Sequence, residues 1–586
     1  MRINTELISW VHDFDSLTAS LKAGADSIGL VVPFSQTERS GFGVKEAITR
    51  VRQLRQQGVG TYIYLPGPAS QDDLAKAGRI LIDIASAGVQ GVALSDFGVA
   101  FLGRKSLPDL PLFLSLEVPV ATLGGAVQAR ELGFSRVVLS PFLKKEEIKP
   151  FTSLKKIEVE FCFSWLGLSP GIIHKDWPFE SHRLEPRLSS LISLRDIGLT
   201  AVSVLTKPDG GTAAYGRVKA ARLLLDKGSA VLEEAVSIYH RAMADDLEQE
   251  ADEPVTGETA EAPVPIALGP DFKDPAEQRL VSLVRRFRLP TQTPRPTFGE
   301  DRITIRASLD MVENYLDWLR PDNVVVDLDK NSFESLKQGK LTGIDQPQVI
   351  LAFPETEPLS DWTEIRSMAD ELLWCGYRRW LVNNLDQLRF ARSLALDELW
   401  AGWNLFTSNM AASALLTGLG CRVMLLPLTL DRRGIETSSL WTGQLEPVLC
   451  VHARPVLQGS IPKNVPVEGE EAQFRILSTV NKVHILIPRR PFSLTHYLNA
   501  MRTEGLSHFL LDLRFEHLFQ RNPHGVVLAF QHASSEPGGT TLMYQPRPVR
   551  DRKQKWQKDV RNPSPHQPSA RKARRAPRPN RNKKKR

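Results

Sequence analysis

What most constrains this chain is an alternation of two patterns. Short runs rich in Val, Ile, Leu and Phe start near Leu7, Ser27, Gly60, Gly91, Pro111, Arg136, Lys156 and Ala201, each bounded by turn residues. Most gaps between them hold a helical pattern. VKEAITRVRQLRQQG precedes the third run and DDLAKAGRILIDIASAG the fourth, with Gly58 and Gly88 placed as helix C-caps. Continuous apolar strands alternating with helices are parallel strands covered on both faces. Eight such units within residues 1–243 predict a (β/α)8 barrel, a fold that usually takes ~250 residues.

The series then repeats. Strand-like runs start near Ile303, Asn323, Gln348, Arg379, Leu399, Cys421, Pro447 and His508. Their spacings of 20, 25, 31, 20, 22, 26 and 61 follow the first set's 20, 33, 31, 20, 25, 20 and 45. LGFSRVVLSPFL at 132–143 and LGCRVMLLPLTL at 419–430 are locally alike, and each follows an Ala-rich helix. An internal duplication accounts for this most simply. The expected fold is α/β: two tandem (β/α)8 TIM-like barrels at 1–243 and 301–535, followed by a disordered basic tail at 536–586. VHILIP at 483–488 is extra, and reads as a hairpin arm or a substitute barrel strand.

Between the barrels, residues 244–300 break the pattern. Asp245 to Glu261 holds eight acidic residues and no basic one, followed by Pro-rich stretches. This reads as a largely solvated linker with one helix around 277–287.

At 586 residues the chain exceeds what one core supports. Its 42% hydrophobic and 24% charged content is that of a globular protein. No run of about 18 apolar residues occurs, so no membrane partner is expected. The first residues carry acidic groups where a signal peptide would be apolar, and a cytoplasmic location is the expectation. The four cysteines, Cys162, Cys375, Cys421 and Cys450, form no CxxC pair. That pattern argues against a disulfide framework and against a local zinc or iron–sulfur motif.

The net charge of +7 is unevenly spread. Residues 546–586 hold ten Arg and seven Lys against Asp551 and Asp559, a net +15, which leaves −8 for the rest. A basic tail neutralises phosphates whatever the sequence, so RNA, or a ribosome, is the expected partner. Its candidate contacts are Arg571, Lys572, Arg574, Arg575, Arg578, Lys583, Lys584 and Lys585. The other readings are a solubility tail or a partner for the acidic linker.

GADSIGL at 24–30, LSDFGV at 94–99, LGFSRVVLSPFLKKEEIK at 132–149, IEVEF at 157–161 and YGRVKAARLLLDKGSAVLEEAVSIYHRAM at 215–243 come in an order that resembles peptidase family U32. These are the collagenase-like proteins, some of which are RNA or quinone hydroxylation factors. GWNLFTSNMAASALLTGLGCRVMLLPLTL resembles the C-terminal barrel of the family's long members. The resemblance implies the barrel fold and an RNA-linked role, on rRNA or tRNA. In the hydroxylating branch, the strand like IEVEF leads into cysteines that hold an iron–sulfur cluster. Here Cys162 stands where a His is expected, and no further Cys occurs before Cys375. A cluster is therefore disfavoured and no cofactor is expected. The chain reads as a degenerate modification factor or scaffold, with an active peptidase as the alternative.

Barrel sites lie on loops after the strands, and three places qualify there. The loop after the seventh run carries His174, Asp176, Glu180 and His182, which would suit zinc or iron, or else form a solvated polar loop. Asp96 and Glu117 at strand ends, with Glu158 and Glu160 in the seventh run, are candidate acid–base carboxylates, or else Glu158 and Glu160 are structural partners of Arg217 or Arg136. Gly216 and Arg217 would bind a phosphate or carboxylate at a helix entry, or else form a turn and a surface Arg. No Gly-x-Ser-x-Gly elbow and no His-Glu-x-x-His pair occurs.

Overall fold

A computed structural model describes residues 5–33, 41–115, 117–118, 120–140, 143, 145–162, 188–206, 211–250, 274–287, 289, 300–316, 318–341, 343–355, 362–405, 407–441, 445–456, 474–478, 484–519 and 523–534. Two closed barrels of eight parallel strands account for most of them.

The first barrel is built from β1 (Glu6–Val11), β2 (Ser27–Val31), β3 (Gly60–Leu65), β4 (Gly91–Leu94), β5 (Leu112–Leu114), β6 (Arg136–Val138), β7 (Glu158–Cys162) and β8 (Ala201–Leu205). They pair in sequence order, and β8 closes on β1. All eight fall where the apolar runs place them. Each strand has one set of side chains under the helices and the other inside the barrel, so nearly every residue is buried and the run reads as continuously apolar. Gly29 is needed where it stands, because a methyl there would collide with the Trp10 indole that fills the lumen.

The second barrel uses β9 (Arg302–Arg306), β10 (Asn323–Asp327), β11 (Val349–Ala352), β12 (Arg379–Val382), β13 (Glu398–Ala401), β14 (Val423–Leu425) and β15 (Glu446–Ala453). Next come a hairpin of β16 (Phe474–Ser478) and β17 (His484–Pro488), a short β18 (Phe492–Ser493), and the eighth barrel strand, β19 (His508–Asp512). β19 pairs with both β15 and β9, and β14 pairs with β15, which closes the ring. VHILIP is therefore a hairpin arm. Its partner is β16, in an antiparallel pair outside the barrel.

The linker is only partly a spacer. The helix Leu232–Glu250 carries the first barrel's last element through the expected boundary at 243. The helix Pro275–Arg286 is started by Asp274, whose carboxylate accepts from Ala276 N–H at 2.8 Å, with Pro275 in its first turn. It docks on the first barrel through buried Leu280 and Val281, with an Arg79–Glu277 ion pair at 2.5 Å.

The barrels meet through four helices. Phe97–Ser106, which follows β4, packs on Met410–Gly418, which follows β13. Leu123–Glu131, which follows β5, packs on Leu385–Ala391, which follows β12. In each case the helix after a fourth strand meets the helix after a fifth. Such an arrangement is isologous, the geometry of a two-fold dimer built within one chain.

Candidate functional site

In the first barrel, the candidate carboxylates lie at opposite ends. Glu158 and Glu160 stand on the same side of β7, toward the end where the strands begin. There Arg136 gathers them. Its guanidinium lies 2.7 Å from Glu158, 3.1 Å from Glu6 and 3.6 Å from Glu160, sandwiched against Phe113 and Tyr62. Glu160 also accepts from the Trp10 indole N–H at 3.1 Å, and Glu6 from the Tyr62 and Ser27 hydroxyls at 2.8 and 2.6 Å. Burial and the negative charge of Glu6 push the Tyr62 hydroxyl up, Arg136 opposing. A cavity of about 420 Å³ opens beside this group, lined by Glu6, Asp26, Tyr62, Gln90, Arg222 and Asp226. Barrel chemistry is built at the other end, and features at this one serve stability.

Asp96 lies just beyond β4, at the end where the strands finish, and its carboxylate is engaged on every side. It caps the helix Phe97–Ser106 by accepting from Val99 N–H at 2.7 Å, accepts from Ala69 N–H at 2.9 Å, and binds the Asn409 amide of the second barrel. Burial pushes its carboxyl up to about 6, and these bonds oppose the shift. Glu117, just past β5, accepts from Gly67 N–H with both oxygens, and burial raises its carboxyl too. The structure thus places Asp96 apart from Glu158 and Glu160, with an inter-barrel tie in hand.

The Gly216–Arg217 expectation is corrected in its placement. The pair is not at a helix entry but past the first turn of the helix Gly211–Lys227. Gly216 permits the close approach of Ala242 on the neighbouring helix, whose methyl would collide with any side chain there. Arg217 is buried. His174, Asp176, Glu180 and His182, and the basic tail from Arg571 to Lys585, lie outside the described residues. Among the described residues, no group of three His, Cys, Asp or Glu is placed to hold a metal ion, and Cys162, Cys375, Cys421 and Cys450 are all free thiols. Cys162, Cys421 and Cys450 are buried, in separate places along the two barrels, and burial raises the Cys421 thiol to about 12.

The second barrel holds a constellation that the sequence reading missed. Arg306 ends β9, Asp327 ends β10, Glu355 follows β11, Asp512 ends β19 and Arg514 lies just beyond it. Arg306 pairs with Asp327 at 2.6 Å and Glu355 at 2.7 Å. Arg514 pairs with Asp327 at 2.7 Å, Glu355 at 2.8 Å and Asp512 at 2.7 Å. Burial alone would raise the Asp327 carboxyl, but the two guanidiniums outweigh it and hold it below the usual range. Beside this group, Glu516 accepts from Arg454 at 2.6 Å and faces His452 at 3.1 Å. Burial is again overcome, and its carboxyl falls to about 2. The signal was present in the sequence: ITIR, NVVVD and HFLLDLR are apolar runs whose last inward positions are charged, at the end where barrel sites form.

Residues 12–164 match the model of peptidase family U32. The 23S rRNA 5-hydroxycytidine C2501 synthase of Escherichia coli is 23% identical over 157 residues, 27% of this chain. The matched region spans only 24% of that relative's length. Among solved structures, a U32 peptidase is 16% identical, covering 35% of this chain and 94% of its own, with a TM-score of 0.27. The tryptophan synthase alpha subunit of Legionella pneumophila is 14% identical, covering 40% and 93%, with a TM-score of 0.25. Among the described residues no helix is long and apolar enough to cross a membrane.

Proposed function

We propose, from the U32 character of residues 12–164, that this chain is an RNA-associated protein acting on or beside rRNA or tRNA, without the cluster chemistry of the family's hydroxylating branch. One observation carries the reading. A segment similar to an rRNA-modifying enzyme is joined in one chain to a terminal stretch of net +15. Dense Lys and Arg bind phosphate backbones by releasing counterions, and Arg-rich segments fold on RNA. The cysteine count supports the second half. Cys162 is the one Cys before Cys375, and a four-thiolate cluster needs four together. Occupation of Glu158, Glu160 and Asp96 by Arg136, Trp10 and Asn409 leaves the peptidase alternative without a free carboxylate among these three.

Crosslinking the full chain to rRNA with ultraviolet light, followed by peptide mapping, tests this. Crosslinked peptides should fall after Gln545. A map empty there removes the reading.

A further inference from the structure

The two barrels turn the same end to the same side. At their seam the helix beginnings meet in the Asp96–Asn409 contact, and the helix ends meet in the Glu131–Arg389 ion pair. The loops that lead from helices back into strands therefore form one continuous underside. A band of cations runs along it and crosses the seam. Arg104 lies in the last turn of the helix before β5, Arg130 in the last turn of the helix before β6, and Lys155 and Lys156 in the turn before β7. Arg392 follows the helix before β13, and Arg422 stands just before β14.

Contacts join these residues into one strip. The Arg104 side chain passes over Gly133, which closes the helix of Arg130, and Arg130 donates to Lys155 O at 3.4 Å. Arg392 reaches across the seam to the Gln128 side-chain oxygen at 3.5 Å and lies near Cys421, the neighbour of Arg422. Arg130 is half-buried and the other five are exposed. Among the described residues none of the six forms an ion pair. The loops that border the band, 107–111, 132–135, 154–157, 392–397 and 419–422, are all described. Glu131 and Glu158 are held by Arg389 and Arg136, so Asp109 and Asp397 are the carboxylates left in these loops. Like charges gathered in this way attract a polyanion. On the second barrel the band continues to Arg378, which donates to Ala395 O at 3.0 Å, and to Trp374, which ends the helix before β12. Trp374 is 90% exposed, whereas Trp362, Trp380 and Trp400 of the same barrel are buried. No other large apolar side chain in these loops is exposed, so a protein partner finds no apolar patch to bury there. A row of cations beside a bare indole suits single-stranded nucleic acid, whose phosphates follow the charges while a base stacks on the ring.

We propose that this band is a second RNA contact, a folded platform on which the six cations hold the phosphate backbone of a single strand and Trp374 stacks on one of its bases. It rests on the RNA reading and deepens it, because the folded barrels then share the binding with the tail. A backbone laid along the underside needs no cavity and no open barrel mouth.

The test is fluorescence anisotropy of the full chain with a labelled oligouridylate across a salt series. Arg104→Gln, Lys155→Gln and Arg422→Gln combined should weaken binding about tenfold or more and lower the slope of log K against log salt by about 2, since each phosphate contact on a single strand contributes about 0.7. Trp374→Ala should weaken binding about fivefold or more with the slope unchanged, as loss of a stacked base does. Lys22→Gln, Lys45→Gln and Arg52→Gln combined, exposed on the helices after β1 and β2, should leave the slope as it is. Thermal unfolding identifies the folded variants. If the first triple variant does not fold, Lys155→Gln alone should lower the slope by about 0.7. An unmoved slope in the folded band variant, or native affinity in Trp374→Ala, overturns the platform while the tail keeps the RNA reading. A native chain that binds no RNA overturns both. Displacement of the RNA by polyglutamate as readily as by unlabelled oligouridylate assigns the band to an acidic protein and also overturns the platform.

Discussion

Asn409 of the second barrel donates its side-chain amide to both carboxylate oxygens of Asp96 in the first, at 2.9 and 3.2 Å. Each residue also caps its own helix, Asp96 through Val99 N–H and Asn409 through Ala412 N–H. The contact has a counterpart. Asp386, in the helix after the second barrel's fourth strand, bonds the Thr122 hydroxyl that caps the helix after the first barrel's fifth. Duplicated barrels that keep duplicated contacts form a two-fold interface, and the ion pair Glu131–Arg389 extends it.

Glycine makes that approach close. A methyl at Gly98 would collide with the Asn409 side-chain oxygen, and one at Gly124 with the Asp386 carboxylate. Gly98→Ala and Gly124→Ala should each destabilise by about 1–3 kcal/mol, the usual cost of overpacking. Gly418→Ala, on an exposed helix position with nothing near it, should stabilise by about 0.5–1 kcal/mol. Thermal unfolding of the three variants checks the contrast. Equal effects would mean that the interface does not depend on close approach.

Asp96 makes stability depend on pH. Its folded carboxyl titrates at about 6, above the ordinary 3.8, so the folded state takes up the proton first. Ionised Asp96 therefore costs stability above pH 6. That cost is relieved as pH falls toward 4, and below the unfolded value it is absent. Relative to Asp96→Ala, the native chain should gain up to about 1.4 kcal/mol per pH unit across that window as pH is lowered. Denaturant unfolding of both proteins at several pH values measures this, and a relative loss on acidification would contradict it.

Arg136 is the hub of the first barrel's lower layer. Arg136→Ala leaves the fully buried Glu160 with an uncompensated charge, takes a partner from the half-buried Glu6, and should cost about 3–5 kcal/mol. Combining Arg136→Met with Glu160→Gln should restore part of the loss, a coupling seen in a double-mutant cycle of unfolding free energies. Additive losses would place the two side chains in independent roles.

Cluster chemistry is open to a direct check. Anaerobic reconstitution with iron and sulfide, followed by iron counting, should give no stoichiometric cluster. Four irons per chain, lost in Cys162→Ser, would show that thiols distant in sequence assemble one after all.

The barrels were legible in the sequence because each strand is a short apolar run with its own boundaries, and local pattern suffices to find it. Partners were not legible. Asp96 reads as an acid at a strand end, but the group that engages it lies 313 residues away. Gly216 looks like a phosphate turn until Ala242 is seen packed against it. The hairpin strand β17 shows as a strand, but only its pairing with β16 tells an arm from a barrel stave. The group of Arg306, Asp327, Glu355, Asp512 and Arg514 draws on four neighbouring strands, β19, β9, β10 and β11, of which β19 is remote in sequence from the other three, so no local window contains it.

The central claim, RNA association through the terminal basic segment, is tested most directly by RNA affinity across a salt series. The intact chain and a chain ending at Gln545 would be compared. The intact chain should show log K falling linearly with log salt, by about 0.7 for each phosphate neutralised on a single strand, and the shortened chain should bind weakly with a shallow slope. Equal affinities and equal slopes for the two would contradict it.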